Sequence, residues 1–300
     1  MTPNPSLDLT YLLPDRLRDD VEVHRSTAAW LEASGKGVNV SRWLARAGVP
    51  TTAVLTAGGA TGRQLLELLD DEGITHRHIA IAGPTRINTT VLTEGGPTTK
   101  VNAPGSPVAV EDLDALVAAT AAALAQDAEE GPGVWLAICG SLPPGADAGL
   151  VTRLVETAHV RGARCVVDAS GAALAAAVAA GADLLAPNLA ELAAISDDMD
   201  GTTSAAAAFA GQHGCQLLLS MGAGGAIWSD GRDVVHQPAP PIVPVNTAGA
   251  GDALLAGWLA DHQAPPRQRL ERAVRWAVRA CLSPTTVATT EPATAQGAPL

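Results

Sequence analysis

VWLAICG (134–140), CVVDAS (165–170), DLLAPN (183–188) and QLLLSMG (216–222) are four short apolar runs, each ending on or beside Gly, Ser or Asn. Runs of this length that are apolar on both faces read as strands buried between two layers, not as half-exposed strands. Helix-period stretches separate them at 146–161, 189–195 and 202–213. Working outward, TTAVLTAG (51–58) repeats the strand pattern, and 37–47, 61–72 and 111–127 repeat the helical one. Strand–helix alternation over this length predicts an α/β fold: a doubly wound, mostly parallel sheet flanked by helices. Ligands of such sheets sit beyond the carboxyl ends of the strands, where the Gly, Asn, Asp and Ser residues cluster.

Two segments break the alternation. Residues 8–27 and 86–103 read as extended chain with turns, the second as a hairpin of RINTTVLT, EGGP and TTKVNA. With no helix between such strands, they are expected to form a small antiparallel β lid over the active edge of the sheet. The α/β body then comprises 1–7, 28–85 and 104–300. The opening MTPNPSLDLT has little apolar chain where a buried first strand is expected, which predicts a native start displaced from Met1 by several residues. Residues 283–300 lack periodicity and are expected to form a loose terminus.

Composition narrows the partners. Hydrophobic residues make up 47% of the 300, enough for a large core, but aromatic residues are 3%, so Ala, Val and Leu must fill most of it. A net charge of −12 argues against a nucleic-acid partner. The four cysteines, Cys139, Cys165, Cys215 and Cys281, are widely spaced and form no paired motif, as in a reducing compartment. No apolar span long enough for a membrane helix and no signal peptide is read, so a cytoplasmic location is expected. Only two lysines, Lys36 and Lys100, occur in the chain, so arginine is the default cation and each lysine calls for a reason.

The strongest chemical signal is NTAGAGDALLAGWLA (246–260). Gly249, Ala250 and Gly251 lead into a helix whose first turn offers free backbone N–H groups, a nest for a developing anion. Asp252 lies in that same turn, where a carboxylate can accept a proton from a hydroxyl. An acid at a helix start is ordinarily a dipole partner; the glycines before it are what single this one out. No phosphate-binding P-loop, G-x-G-x-x-G, zinc motif or G-x-S-x-G is present.

NTAGAGD resembles the C-terminal signature of the ribokinase-like (PfkB) carbohydrate kinases. ASGKGVNVSRWLARAG (33–48) resembles their N-terminal signature, with Ser34 where Gly is commoner. NPSLDLT (4–10), RIN (86–88), VNAPG (101–105), GSLPPG (140–145), DASGAAL (168–174), PNLAEL (187–192) and SMGAGGAIW (220–228) are similar, in consistent order, to the 1-phosphofructokinase and tagatose-6-phosphate kinase branch. The resemblance implies a ribokinase-like fold and an enzyme using ATP and Mg2+. It implies Asp252 as catalytic base, with Gly249, Ala250 and Gly251 forming the anion hole. Sugar-phosphate contacts are implied for Asp8, Gly35, Lys36, Gly37, Asn39, Arg86, Asn88, Asn102 and Ser141. Lys36 and Arg86 are the expected grips on the phosphate the sugar already carries, with Arg25 a weaker candidate reaching in from the lid. Asn188, Ser220, Gly222, Gly225 and Thr247 are implied at the nucleotide, and Asn188 and Glu191 near Mg2+ through water, although Asn188 and Glu191 also read as a helix cap. Ala186 departs from the branch, which often has Lys there, so one cation at the nucleotide phosphates is missing.

The reading is a hexose-phosphate kinase, best matched to fructose 1-phosphate giving fructose 1,6-bisphosphate. Tagatose-6-phosphate kinase and 6-phosphofructokinase use the same site plan. A non-catalytic sugar-phosphate sensor on a kinase fold is the alternative of another class. A homodimer through the lid is expected, with Leu12, Leu13, Val21 and Val23 as the apolar hint and no membrane partner.

Overall fold

The computed structural model describes residues 1–93, 96, 98–130 and 133–287. In chain order the elements are β1 (Ser6–Leu13), β2 (Ala28–Ser34), α1 (Lys36–Arg46), β3 (Ala53–Ala57), α2 (Gly59–Asp71), β4 (His76–Ala80), β5 (Arg86–Thr93), β6 (Thr99–Val101) and α3 (Val110–Glu130). There follow β7 (Trp135–Cys139), α4 (Gly149–Val160), β8 (Arg164–Asp168), α5 (Gly171–Ala179), β9 (Leu184–Leu185), α6 (Leu189–Ala193) and α7 (Thr203–His213). The chain then runs through β10 (Gln216–Ser220), β11 (Ala226–Ser229), β12 (Val234–Gln237), α8 (Ala250–Leu259) and α9 (Pro266–Cys281).

The four runs that opened the reading are adjacent strands. They lie side by side as β7, β8, β9 and β10, all parallel, with β11 and β12 added antiparallel at one edge. The DLLAPN run pairs over only Leu184–Leu185, because Pro187 cannot donate to a ladder. The parallel pair β3–β4 continues the layer. Between β3 and β7 runs the very start of the chain: Thr2 N–H donates to Val54 O, Cys139 N–H to Met1 O, and the Met1 ammonium to Ala137 O. That ammonium is buried, and burial lowers its pKa.

Alternation along each strand loads the two faces. Cys165 and Val167, like Leu217 and Leu219, face α3, α4, α5 and α7. Val166 and Leu218 face α1, α8 and α9. The first layer is the expected Ala/Val/Leu core. The second carries most of the tryptophan, in two stacked pairs, Trp43–Trp276 at 5.6 Å and Trp228–Trp258 at 5.5 Å. Arg269 lies over Trp258 at 3.9 Å, a cation–π contact. Cys139, Cys165 and Cys215 are buried thiols, and all four cysteines are unpaired. Among the described residues no helix is long and apolar enough to cross a membrane.

The small sheet has the order β2-β1-β5-β6. It corrects the expectation in two places. Its middle pair, β1–β5, is parallel, so the sheet is mixed and not purely antiparallel. Residues 14–27 form no strand, and the sheet takes Ala28–Ser34 instead, which the sequence assigned to the body. Most of the expected EGGP turn, residues 94, 95 and 97, lies outside the described residues. The register places Ser6 beside Arg86, Asp8 beside Asn88, and Thr10 beside Thr90 beside Lys100. These polar residues share one face of the pleat.

Strand β2 is anchored by charge. The buried Arg42 of α1 donates to Glu32 of β2, to Glu72 and to the Ala33 carbonyl. Glu32 in turn accepts from the Thr286 N–H at 3.0 Å. Thus Ser283, Thr285, Thr286 and Val287 are buried and part of the body, against the expectation of a loose end from 283. The expected loose segment 288–300 lies outside the described residues.

Candidate active site

Two helix entrances and one sheet face meet over the carboxyl ends of the parallel strands. Gly249 caps α8 in the left-handed region, at φ 78°. A Cβ there would come within 2.5 Å of the Thr286 carbonyl, so both conformation and space require glycine. The turn is held from behind by Asn246, whose amide donates to Pro284 O and accepts from the Ala248 N–H. The backbone N–H groups of Ala250, Gly251 and Asp252 find no acceptor among the described residues. Gly251 has open space over it. The result is an anion nest facing a cavity.

Asp252 faces that cavity and is buried, 6% exposed. Its Oδ2 accepts from Asn39 Nδ2 at 2.8 Å, and among the described residues it makes no salt bridge. Burial raises its pKa to about 7, and the Asp168 charge pushes the same way, against Asn39 and Lys36. That value suits a base working near neutral pH. Asn39 links Asp252 to the sheet face. Ser34 Oγ donates to Asp8 Oδ2 at 2.7 Å and lies 3.4 Å from Asn39 Oδ1. Asp8 also accepts from Ser6 Oγ at 2.7 Å and Asn88 Nδ2 at 3.1 Å.

The second entrance is that of α1. Gly35 caps it at φ 113°, where a Cβ would meet Pro5 and Thr2 at 2.9 Å. Lys36 Nζ lies 2.6 Å from Asp168 Oδ1 and 3.6 Å from Glu191 Oε1. Burial alone would depress this lysine, but the two carboxylates hold it well above its ordinary range. Glu191 and Asn188 form the capping box of α6: Asn188 N–H donates to Glu191 Oε2, and Glu191 N–H to Asn188 Oδ1, both at 2.8 Å. Arg86, at the far end of the sheet face, spends two donors on Ala103 O and Asn4 O, each at 2.9 Å. Its Nε is buried with no partner among the described residues.

These groups line a cavity of about 510 Å³. Asp8, Gly35, Lys36, Asn39, Arg86, Asn88, Asn102, Ser141, Asn188, Glu191, Ser220, Thr247, Gly249, Gly251 and Asp252 all border it. A second, apolar cavity of about 570 Å³ adjoins it across Ser220, Thr247 and Gly251, and is bordered by Gly222, Gly225 and Ala250. Its other walls include Pro240, Ile242, Leu254, Val274 and Val278. Gly37 is the exception to the convergence. It borders neither cavity, and a Cβ on it would meet Thr2 Oγ1 at 2.5 Å, so it makes room for the chain start and not for a ligand. Arg25 is exposed and also borders neither cavity.

The chain matches the family described as pfkB family carbohydrate kinase over residues 1–294. It belongs to that family. As a member of it, the protein is a sugar kinase that transfers a phosphoryl group from ATP. The 1-phosphofructokinase of Rhodobacter capsulatus is 34% identical over 260 residues, 85% of this chain and 80% of the relative. The ATP-dependent 6-phosphofructokinase isozyme 2 of Escherichia coli is 33% identical over 290 residues, 93% of this chain and 89% of the relative. Phosphofructokinase-2 from Escherichia coli, solved in complex with substrates and products, superposes with a TM-score of 0.86 at 30% identity, covering 95% of this chain and 93% of that one. A ribokinase from Thermotoga maritima, 18% identical, shares the fold at a TM-score of 0.68, covering 94% of this chain and 91% of that one.

Several cavity residues had escaped the sequence reading. Asp168 was inside the quoted DASGAAL but was not singled out. Asn4, Ser6 and Thr90 belong to the polar face of the small sheet, which only strand register reveals. Lys100 borders the cavity too, so both lysines of the chain meet in one place.

Proposed function

We propose that this kinase phosphorylates a hexose phosphate, converting fructose 1-phosphate and ATP to fructose 1,6-bisphosphate and ADP. The observation that carries the reading is Asp252, a buried carboxylate of raised pKa in a turn where the two cavities meet, beside the backbone N–H groups of Ala250, Gly251 and Asp252, which have no acceptor among the described residues. In the reaction the acceptor hydroxyl of the sugar gives its proton to Asp252. Its oxygen forms a bond to the γ-phosphorus as the bond from that phosphorus to the bridging oxygen of ADP breaks. The N–H groups of Ala250, Gly251 and Asp252 stabilise the charge on the transferring group, and Asn39 keeps the base aimed. Asp8, with Asn88 and Ser34 around it, is suited to sugar hydroxyls, since a carboxylate accepts two at once. Arg86, whose buried Nε has no partner among the described residues, is suited to the phosphate the sugar already carries. Lys36, held by Asp168 and Glu191, sits at the nucleotide side of the site instead, a revision of the role first read for it. The adjoining apolar cavity is suited to the base of ATP.

Mg2+ fits this donor set as a partner of the nucleotide. Among the described residues no cluster of three or more His, Cys, Asp or Glu could cage a metal. Asn188 and Glu191 are already committed to each other and would reach the ion through water, in keeping with an ion that retains much of its hydration. When bound, Mg2+ would neutralise charge on the ATP phosphates. The small sheet acts as a lid in this reading, and the enzyme works in the cytoplasm.

The lid also supports a homodimer. Its outer face carries Leu31, Ile87 and Val101, exposed by 36%, 43% and 63%, in place of the Leu12, Leu13, Val21 and Val23 first expected. Of those, Leu13 is buried and Val21 and Val23 lie outside the strands. A second copy of the same face would cover this surface and the exposed β6 edge. Leu31→Asp should halve the mass seen by sedimentation at micromolar protein; an unchanged mass removes this face from the interface.

The substrate reading is tested by ADP release with fructose 1-phosphate, fructose 6-phosphate, tagatose 6-phosphate, fructose and adenosine. The expected outcome is the highest kcat/KM for fructose 1-phosphate. A higher value for fructose 6-phosphate would move the assignment to 6-phosphofructokinase, the activity named for one of the relatives above. Tight binding of sugar phosphates with no turnover on any would favour a sensor.

A further inference from the structure

The charges of the polar cavity do not balance, and one cation stands apart. Four carboxylates border it, Asp8, Asp168, Glu191 and Asp252, against Lys36, Arg86 and Lys100. Lys36 is engaged by Asp168 and Glu191. Arg86 is tied to two backbone carbonyls. Lys100 makes no hydrogen bond or ion pair among the described residues, although it borders a cavity rich in acids.

Register fixes where it stands. On the inner face of the lid, Arg86 belongs to the row of Ser6, while Lys100 belongs to the row of Thr10 and Thr90. Four residues of β5 separate the two rows, about 13 Å along a strand. The two lid cations therefore sit at opposite ends of the polar face, with the Asp8–Asn88 row between them. A sugar phosphate laid along that face with its own phosphate at Arg86 turns its other end toward Lys100.

We propose that Lys100 is a catalytic residue, a lid-borne ammonium that closes onto the oxygens of the phosphoryl group in transit between ATP and the sugar. The inference rests on the kinase reading above and adds the residue that completes the nest from the opposite wall. The N–H groups at α8 approach the phosphoryl group from the body and Lys100 approaches it from the lid, so the transferring charge is enclosed only when the lid is down. Burial lowers the pKa of Lys100, while Asp8, Asp252 and Cys281 pull it back up. Arg86, by contrast, feels Asp8 alone among these acids. Cys281 borders the apolar cavity, so these neighbours agree with a position on the nucleotide side. A charge on an edge strand such as β6 can also serve only to deter pairing with another strand. That role would leave the kinetics untouched.

The test compares wild type, Lys100→Met and Lys100→Arg, with melting temperatures to check folding. Lys100 has no hydrogen-bond or ion-pair partner to lose among the described residues, so Lys100→Met should fold normally. Its kcat on the best sugar phosphate should fall about 100–1,000-fold, the range for losing one donor to a developing charge. The KM for the sugar phosphate should move less than about threefold, and Lys100→Arg should recover most of kcat. A sugar-independent arm measures inorganic tripolyphosphate binding by calorimetry, expected to be about tenfold weaker in Lys100→Met. A rise in sugar-phosphate KM at constant kcat would overturn the proposal, by assigning Lys100 to the resident phosphate. Unchanged kinetics and unchanged tripolyphosphate affinity would also overturn it, leaving edge protection. If wild type turned over no hexose phosphate but tripolyphosphate binding still depended on Lys100, the substrate reading would fall and this assignment would stand.

Discussion

The two cavities that meet at Gly251 are close in volume and opposite in make-up. One is walled by carboxylates, amides and cations whose mutual distances are set by hydrogen bonds. The other is walled by proline, isoleucine, leucine and valine, with little that could act chemically. In the function proposed above, the difference divides the labour of a kinase. The polar cavity must place a base and a charge trap to within a fraction of an ångström, so its groups hold one another. The apolar cavity needs only shape and dryness, because burial is non-directional. Changes in the first should act on the rate of the chemical step, and changes in the second on nucleotide affinity.

The sharpest way to break this division is Asp252→Asn. The amide keeps the size of the carboxylate but cannot take a proton. We expect kcat to fall about 10²–10⁴-fold with both KM values near wild type. A variant with substantial residual rate would mean the base lies elsewhere. Gly249→Ala comes next. It puts a side chain at a left-handed φ and against the Thr286 carbonyl, so the nest must shift. Strain of about 1–3 kcal/mol should appear as a lower melting temperature and about a tenfold or greater loss of kcat. Unchanged kcat would show that the nest is not the charge trap. On the other side, Val278→Trp fills apolar space near the cavity wall. The expected result is an ATP KM about tenfold higher with kcat within about threefold. A loss confined to kcat would erase the distinction between the cavities.

The same contrast explains what could be read before any fold was known. The strands at the centre of the large sheet were legible because buried parallel strands announce themselves as short apolar runs, and β7 to β10 fell where such runs stood. The nest was legible because glycines before a helix acid have few other uses. Lys100 and Thr90 were not assignable, since their direction depends on register between β5 and β6. The walls of the apolar cavity were invisible for a different reason. Val274 and Val278 lie on α9 with the periodicity of any core-facing helix, and nothing in an apolar residue distinguishes a wall from a filling. Strands β11 and β12 and helix α9 also escaped the initial reading. Pairing of β2 was missed because its chain, AAWLEAS, follows a long irregular stretch and its Glu32 looks exposed until Arg42 covers it.

The mildest probe leaves the sequence alone and varies pH. Burial and Asp168 raise the pKa of Asp252 from 3.8 to about 7. Below that value the carboxyl is protonated and cannot act as a base, so kcat should rise about tenfold per pH unit up to about 7 and then level. The ATP KM should stay flatter over the same range, since among the described residues no ionisable one but Cys281 borders the apolar cavity. Stability should move the other way. A raised carboxylate pKa means the folded state binds the proton more tightly than the unfolded one. The group's contribution is therefore intact below about pH 4 and is progressively lost as pH rises toward 7. Asp252→Asn removes that loss, so its melting temperature should match wild type near pH 4 and exceed it by a few degrees at pH 8. A gain in stability paired with a loss of rate, both centred on one titration, would mark Asp252 as a residue kept for chemistry at the expense of the fold. If the stability difference were independent of pH, the carboxylate would titrate alike in the folded and unfolded chain, and the burial argument for its role as base would fail.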